Sequence, residues 1–204
     1  MTLKELKAAL KSLERISSSQ EHGDHNLNPD LKPDAPYKES SVLILFVHCE
    51  EDQTLSILFT KRAKSLSNHP GQISFPGGCK DDIDKDMIET ALRETEEETG
   101  LSKKDVTILG TMEKYITRTG FEVTPVIGLI SGPVITTPEP NEVDEIFEVP
   151  LEYILKEKNL KIETLLYQGK DRQFYALSYN EQYIWGATAG MMKELVDVLN
   201  KPRK

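Results

Sequence analysis

Apolar and polar positions alternate along this chain with two different periods, and the two periods divide it into strands and helices. Val42 to His48 (VLILFVH) is continuously apolar and rich in branched side chains, which predicts a buried strand beginning near Ser41. A polar turn from Glu50 to Gln53 separates it from TLSILFT, Thr54 to Thr60, and the two stretches predict a hairpin. Val106–Leu109, Glu113–Ile116 and Phe121–Ile130 read as further strands. Val143–Val149 reads as another, after a loop bracketed by Pro133, Pro138 and Pro140. Arg172–Tyr179 and Gln182–Trp185 predict a closing hairpin.

The helical period shows most clearly between Asp86 and Gly100. Asp86 suits the N-cap, Met87, Ala91 and Leu92 supply apolar packing, and Gly100 suits a left-handed C-terminal position. Leu151–Lys156 predicts a short helix, and Ala187–Leu199 a last amphipathic one with Met191, Leu195 and Val198 on one side. At the N-terminus, Leu3, Leu6, Leu10 and Leu13 predict an amphipathic helix over Met1–Ile16. Residues 17–40 are rich in Ser, Asn, Asp, Pro and His without periodicity, which predicts a linker or extended arm. The fold class expected is α/β, a mixed sheet with helices on its faces. The chain divides into an N-terminal helix and linker over 1–40 and one domain over 41–204.

Composition narrows the function classes. The 204 residues are enough for one domain with an ample core, and the net charge of −9 argues against a nucleic-acid or anionic-membrane partner. No stretch approaches the roughly 18 apolar residues of a membrane span. The two cysteines, Cys49 and Cys79, give no disulfide framework and suit a reducing compartment. Glu5 and Glu14 count against an organelle signal, and the final Lys201-Pro202-Arg203-Lys204 is not a peroxisomal Ser-Lys-Leu address. A cytoplasmic location is expected. His22 and His25 have neither a cysteine nor a third histidine beside them and read as part of a solvated loop.

The chemistry is concentrated in FPGGCKDDIDKDMIETALRETEEETGL, Phe75 to Leu101. Helical spacing sets Glu94, Glu97 and Glu98 on one side of the helix, where they repel one another unless a cation sits among them. An arbitrary ETEEE run would read as a solvated face; the preceding Pro-Gly-Gly turn, Arg93 and Gly100 argue for a site instead. Oxygen-only ligands favour a hard divalent ion, Mg²⁺ or Mn²⁺, over zinc. An anionic substrate would be repelled here without metal, so metal-assisted phosphoryl or pyrophosphoryl hydrolysis is the expected reaction.

These residues resemble the Nudix box, G-x5-E-x7-R-E-U-x-E-E-x-G-U with U aliphatic. Arg93, Glu94, Glu97, Glu98, Gly100 and Leu101 fall in place. Asp84 stands where the pattern has Glu, eight residues instead of seven separate it from Arg93, and Thr95 occupies an aliphatic position. Leu58-Phe59-Thr60-Lys61-Arg62, Leu66, His69-Pro70-Gly71-Gln72 through Phe75-Pro76-Gly77-Gly78, and Thr90-Ala91-Leu92-Arg93-Glu94 further resemble the coenzyme A pyrophosphatase branch. So do Glu142-Val143, Phe147–Leu151 and Ile184–Ala189, and the likeness runs from about Ser41 to Leu199. Ala63 and Ser67 depart from the branch, which often has serine and arginine there.

The resemblance implies a Nudix α/β/α sandwich and hydrolysis of the diphosphate bond of coenzyme A or acyl-CoA. It implies Glu97 and Glu98 as metal ligands, with Glu94 either joining them or positioning the attacking water, and a carbonyl of the Gly78 turn as a further ligand. Arg93 would orient the carboxylates. Glu142, with Glu145 behind it, is the choice for a later acidic ligand. Lys61, Arg62 and Lys64 would meet phosphate, and His69 and Gln72 belong to the same substrate-side signature, His69 contacting substrate or bracing the loop. Two other readings stay open: a broader hydrolase of ADP-ribose or dinucleotide cofactors, and a non-catalytic Nudix-like binding domain. The expected partner is a small-molecule diphosphate, and a homodimer is left open.

Overall fold

In a computed structural model, which describes residues 1–11 and 21–201, two long parallel neighbours organise the chain: β2 (Lys38–His48) and β8 (Phe121–Ser131). β2 is buried on both sides, as its unbroken apolar run predicts, and its alternate residues feed two separate cores. Leu43, Leu45 and Val47 join Leu58, Val126 and Ile130 in one. Ile44 and Phe46 join Ile57, Phe59, Ile127 and Leu129 in the other.

β3 (Leu55–Arg62) returns antiparallel to β2 with Phe46 opposite Ile57, the expected hairpin. Further along, β3 carries β4 (Ile73–Ser74) and β9 (Val143–Pro150), while β2 pairs with β5 (Gly77–Cys79). β6 (Thr107–Thr111) and β7 (Tyr115–Ile116) run antiparallel to β8. β1 (His22–Gly23) adds a parallel edge to β7, completing a nine-stranded mixed sheet.

Helices cover both faces. α2 (Met87–Thr99) lies over the Leu43–Leu45–Val47 core. The other face takes α1 (Leu3–Leu10), α3 (Leu151–Ile154) and α4 (Ala187–Asn200). α1 begins in a capping box: the Thr2 amide donates to Glu5 Oε2 at 2.8 Å, and the Glu5 amide to Thr2 Oγ1 at 3.3 Å. Leu6 and Leu10 are buried in the main core, each contributing about 1.5–3 kcal/mol of transfer free energy. The remainder of the helix predicted to Ile16, with Leu13, lies outside the described residues.

Two features differ from expectation. The segment read as a linker is, from residue 21 onward, stitched to the fold. The Asn28 side chain donates to the Gln173 carbonyl at 2.7 Å and accepts its amide at 3.1 Å. Asp24 accepts the Tyr115 hydroxyl at 2.8 Å and the Arg118 amide at 2.9 Å, and His22 lies 3.0 Å from Glu194. Short polar side chains bonded to backbone leave no hydrophobic period to read.

The second difference is an unanticipated strand. β10 (Leu160–Tyr167) pairs with β11 (Lys170–Tyr179), which pairs with β12 (Gln182–Trp185), in a separate antiparallel sheet. Gln168 and Gly169, at φ 51° and 76°, form the tight turn between β10 and β11. Leu160, Leu177 and Ile184 anchor this sheet to the main core. Among the described residues no helix is long and apolar enough to cross a membrane.

Candidate active site

α2 carries the acidic run on a well-terminated helix. Asp86 caps its start, accepting the Glu89 amide at 2.9 Å, and Gly100 ends it at φ 72° with its amide on Glu96 at 2.9 Å. Its buried residues are Thr90, Ala91, Thr95, Glu98 and Thr99. Ile88 and Leu92 pack on the core beside Ala91; Ile88 takes the part expected of Met87, since helical geometry turns it and not Met87 toward the sheet. Thr95 fits its buried position because its hydroxyl donates to the Ala91 carbonyl at 2.7 Å.

Arg93 stands at the centre of the acidic groups. Its Nε and Nη2 donate to the two oxygens of Asp84, each at 2.9 Å. Its Nη1 donates to Glu94 at 2.9 Å and Glu97 at 3.0 Å, and Nη2 also reaches the Cys79 carbonyl at 3.2 Å. The hydrogen bonds from Arg93 hold the Asp84 carboxyl well below the usual range despite its burial. Asp84 was not among the expected site residues, although the box alignment sets it at the pattern's first acidic position; that alignment is the signal that could have found it.

The glycine turn is pressed between β2 and this helix. A Cβ at Gly77 would fall 2.3 Å from the Ser41 carbonyl oxygen, and one at Gly78 would fall 2.3 Å from Glu94 Oε2. Only glycine lets the backbone lie this close to the carboxylate.

Beneath the turn, Glu98 is 4% exposed and accepts a hydrogen bond from Thr60 at 3.3 Å. Burial pushes its carboxyl up to about 7, with Glu94 and Glu142 adding like charge, while the Thr60 bond and Arg62 oppose the shift. Glu94 is raised chiefly by burial, against the pull of Arg93. Glu142 acts on both Glu94 and Glu98. It arrives on the loop that crosses the end of α2, where the Glu139 amide donates to the Glu98 carbonyl at 3.1 Å and the Glu142 amide to Glu139 at 2.9 Å.

Alternation along β3 separates the basic residues. Thr60 and Arg62 face Glu98, whereas Lys61 lies toward Glu145 at 3.6 Å and Gln182 at 3.4 Å. Gln182 donates to both Glu145 oxygens at 2.9 Å, so Glu145 sits with Lys61 across the strand from the box carboxylates. Thr60 and Gln182 escaped sequence reasoning. Period-2 spacing from Arg62 could have found Thr60; nothing local pointed to Gln182.

The signature loop after β3 closes on itself. The Arg62 amide donates to the Gln72 carbonyl at 2.9 Å, the Gly71 amide to Arg62 at 3.1 Å, and the Gln72 amide to His69 at 3.2 Å. His69 is exposed at φ 53°, bracing the turn through its carbonyl. The exposed Lys64 donates its amide to Asp144 at 3.2 Å. Two cavities open elsewhere, neither lined by the box glutamates. One of about 560 Å³ borders Tyr37 to Glu39 and the Cys79–Asp84 loop, and one of about 450 Å³ lies between the arm and α4.

Among the described residues, no three acidic, histidine or cysteine side chains are gathered as a metal-holding group; Arg93 takes up oxygens of Glu94 and Glu97 instead. The donors in this neighbourhood are all oxygen, four glutamates and the backbone held close by Gly78, which suits a hard divalent ion.

Comparison with known proteins agrees with this arrangement. The NUDIX domain profile matches residues 38–168. The chain is 36% identical over 172 residues to NudL of Pectobacterium atrosepticum, an uncharacterized Nudix hydrolase, covering 83% of this chain and 86% of that protein. The NudL proteins of Enterobacter sp. strain 638 (35% over 158 residues, 78% and 81% covered) and Yersinia enterocolitica (36% over 161, 79% and 81%) are similar at the same level. Among solved structures, the Nudix hydrolase RenU of M. smegmatis superposes at a TM-score of 0.55 with 20% identity, over 82% of this chain and 89% of that one. Helices on both faces of a mixed sheet are thus the Nudix architecture. The chain belongs to the Nudix hydrolase family, enzymes acting on phosphoric anhydrides.

Proposed function

We propose that the enzyme hydrolyses the diphosphate of coenzyme A or an acyl-CoA, releasing 4′-phosphopantetheine and adenosine 3′,5′-bisphosphate. The choice of coenzyme A rests on the resemblance of the Leu58–Gly78 signature, and the structural observation that supports a diphosphate substrate is the state of Arg62. The closed loop from Arg62 to Gln72 holds it on the Glu98 side of β3, and its buried Nε has no hydrogen-bond partner. A desolvated guanidinium donor left open beside acidic groups suits a substrate phosphate oxygen. Gln72, whose amide lies near Gly186, would sit on the same substrate-facing loop. Lys61 lies across the strand and His69 is exposed, so any contact from them would come from the outer part of the substrate.

Glu97 and Glu98, with Glu94, Glu142 and the Gly78 carbonyl, would hold Mg²⁺ or Mn²⁺. Such an ion neutralises diphosphate charge and lowers the pKa of a bound water. Arg93 orients Glu94 and Glu97, and Asp84 fixes Arg93. A box glutamate accepts the proton of the attacking water; water adds to one phosphorus and the P–O–P bond breaks. Arg62 offsets charge on the phosphate that leaves.

The test incubates the purified protein separately with coenzyme A, ADP-ribose and NADH, with Mg²⁺ or Mn²⁺, and identifies products by mass spectrometry. Phosphopantetheine and adenosine 3′,5′-bisphosphate should form, and a Glu98→Gln variant should not form them. One observation favours a broader diphosphatase: Ser67, where the branch often has arginine, is exposed and brings no cation to the loop. Cleavage of ADP-ribose or NADH with coenzyme A untouched would establish that second reading in place of the first.

A further inference from the structure

Of the eight large hydrophobic side chains exposed among the described residues, six lie on the small three-stranded sheet. Four belong to β10: Ile162 is 50% exposed, Leu165 55%, Leu166 69% and Tyr167 39%. Every residue from Lys161 to Asp171 is exposed. The hairpin tip touches the rest of the chain where Arg118 lies over the Tyr167 ring at 5.1 Å and Lys170 meets Asp30 at 2.9 Å, and the outer edge of β10 lies away from the core beyond Leu160. Among the described residues β10 pairs with β11 alone, leaving its other edge of amides and carbonyls unpaired there. A long apolar edge of this kind is a template for another strand, and natural proteins seldom leave one open without a partner.

The side chains of β10 say which strand fits. When two copies of a strand pair antiparallel about a two-fold axis perpendicular to the sheet, both faces stay continuous and one residue lies opposite itself. A centre at Lys161 or Glu163 would oppose like charges, which is destabilising. A centre at Ile162 would run Leu165–Tyr167 into the helical turn Glu157–Asn159. A centre at Thr164 avoids both faults. It sets Ile162 opposite Leu166 twice, on the face that continues from Leu160, with threonine against threonine between them. On the other face Lys161 meets Tyr167 and Glu163 meets Leu165, so the long polar stems cover apolar neighbours and no like charges face each other.

We propose that β10 is a homodimer interface, pairing antiparallel with β10 of a second copy with Thr164 on the two-fold axis. The two three-stranded sheets then form one six-stranded sheet, and the exposed apolar edge is covered. Neither copy contributes a residue to the other's box, so this assembly stands apart from the chemistry proposed above.

Light scattering after size exclusion, over about 1–100 µM protein, reads the outcome. Wild type should run at twice the chain's 23.1 kDa mass. Ile162→Lys alone and Leu166→Glu alone should each be monomeric, at least tenfold weaker in association. The double variant should dimerise again, because lysine at the first position of one copy faces glutamate at the second position of the other. Within one chain the two positions are about 13 Å apart along the strand, too far to pair. Monomeric wild type, dimeric single variants, or a double variant that stays monomeric would each overturn the proposal. Circular dichroism of every variant separates lost pairing from lost fold.

Discussion

Asp84 grips Arg93 by two parallel hydrogen bonds, Nε to Oδ1 and Nη2 to Oδ2, each 2.9 Å long. The same carboxylate accepts the Asp81 amide at 2.9 Å and the Thr90 hydroxyl at 3.0 Å. The acidic loop is therefore folded back onto the helix it precedes, and the arginine that touches Glu94 and Glu97 is fixed from behind. Asp84→Asn keeps the volume and removes the charge, leaving a largely buried guanidinium short of its partner. Breaking such a pair costs about 3 kcal/mol, or about 6–12 °C in melting temperature for a chain of this size. Thermal unfolding checks it, and an unchanged melting point would show that the remaining glutamates satisfy Arg93 alone.

Glu142 and Glu145 are three residues apart on opposite sides of the chemistry. Glu142 acts on Glu94 and Glu98, whereas Glu145 is held by Gln182 and Lys61. Glu142→Gln should lower kcat by about 10–100-fold and raise the Mg²⁺ concentration needed for half-maximal rate. Glu145→Gln should leave kcat within about twofold. Steady-state kinetics across a metal titration compares them; equal losses in kcat would remove the distinction.

Asn28 closes the free edge of β11 by imitating a strand, one amide side chain serving both the N–H and the C=O of Gln173. It is 8% exposed. Asn28→Ala leaves both groups unpaired, which costs about 1–3 kcal/mol. Hydrogen exchange should speed up at the Gln173 amide before it does so in β2, and unchanged exchange there would show that water replaces the side chain.

Glu194 lies between the arm and α4, and burial pushes its carboxyl up to about 8, with Asp197 and Glu113 adding to the shift and Lys193 opposing it. His22 Nδ1 lies 3.0 Å from the same carboxyl. A carboxyl raised on folding binds its proton more tightly in the folded state. The contribution of Glu194 to stability is therefore greatest below its unfolded value near 4.5 and is lost as pH rises toward about 8. Glu194→Gln should flatten this slope and melt several degrees above wild type at about pH 8–9, with no such gain near pH 5. Melting curves across that range test the sign; a wild type as stable as the variant at high pH would oppose it.

Much of this was legible in the chain. The apolar run at Val42–His48 is a strand because burial on both faces demands unbroken hydrophobicity, and that demand is local; Leu55–Thr60 follows it as the second arm of the hairpin. Asp86 and Gly100 terminate α2 by chemistry that belongs to single residues. β10 was missed because its residues meet solvent, so no core imposes alternation on LKIETLLY. The arm was missed because its contacts are made by Asp24, Asn28 and Asp30 to groups about 90 to 145 residues away. The division of Lys61 from Arg62 follows from strand alternation, but which face met the box carboxylates depended on where α2 came to rest.

Thr95 bears on how family patterns are read. Its position in the box is written as aliphatic, yet the buried hydroxyl is silent because the Ala91 carbonyl behind it accepts its hydrogen bond. A letter in such a pattern specifies a volume and the absence of an unmet polar group, and two different chemistries can honour it. Searches that require a hydrocarbon there would pass over enzymes whose helices fill the same space with a threonine turned back on its own backbone.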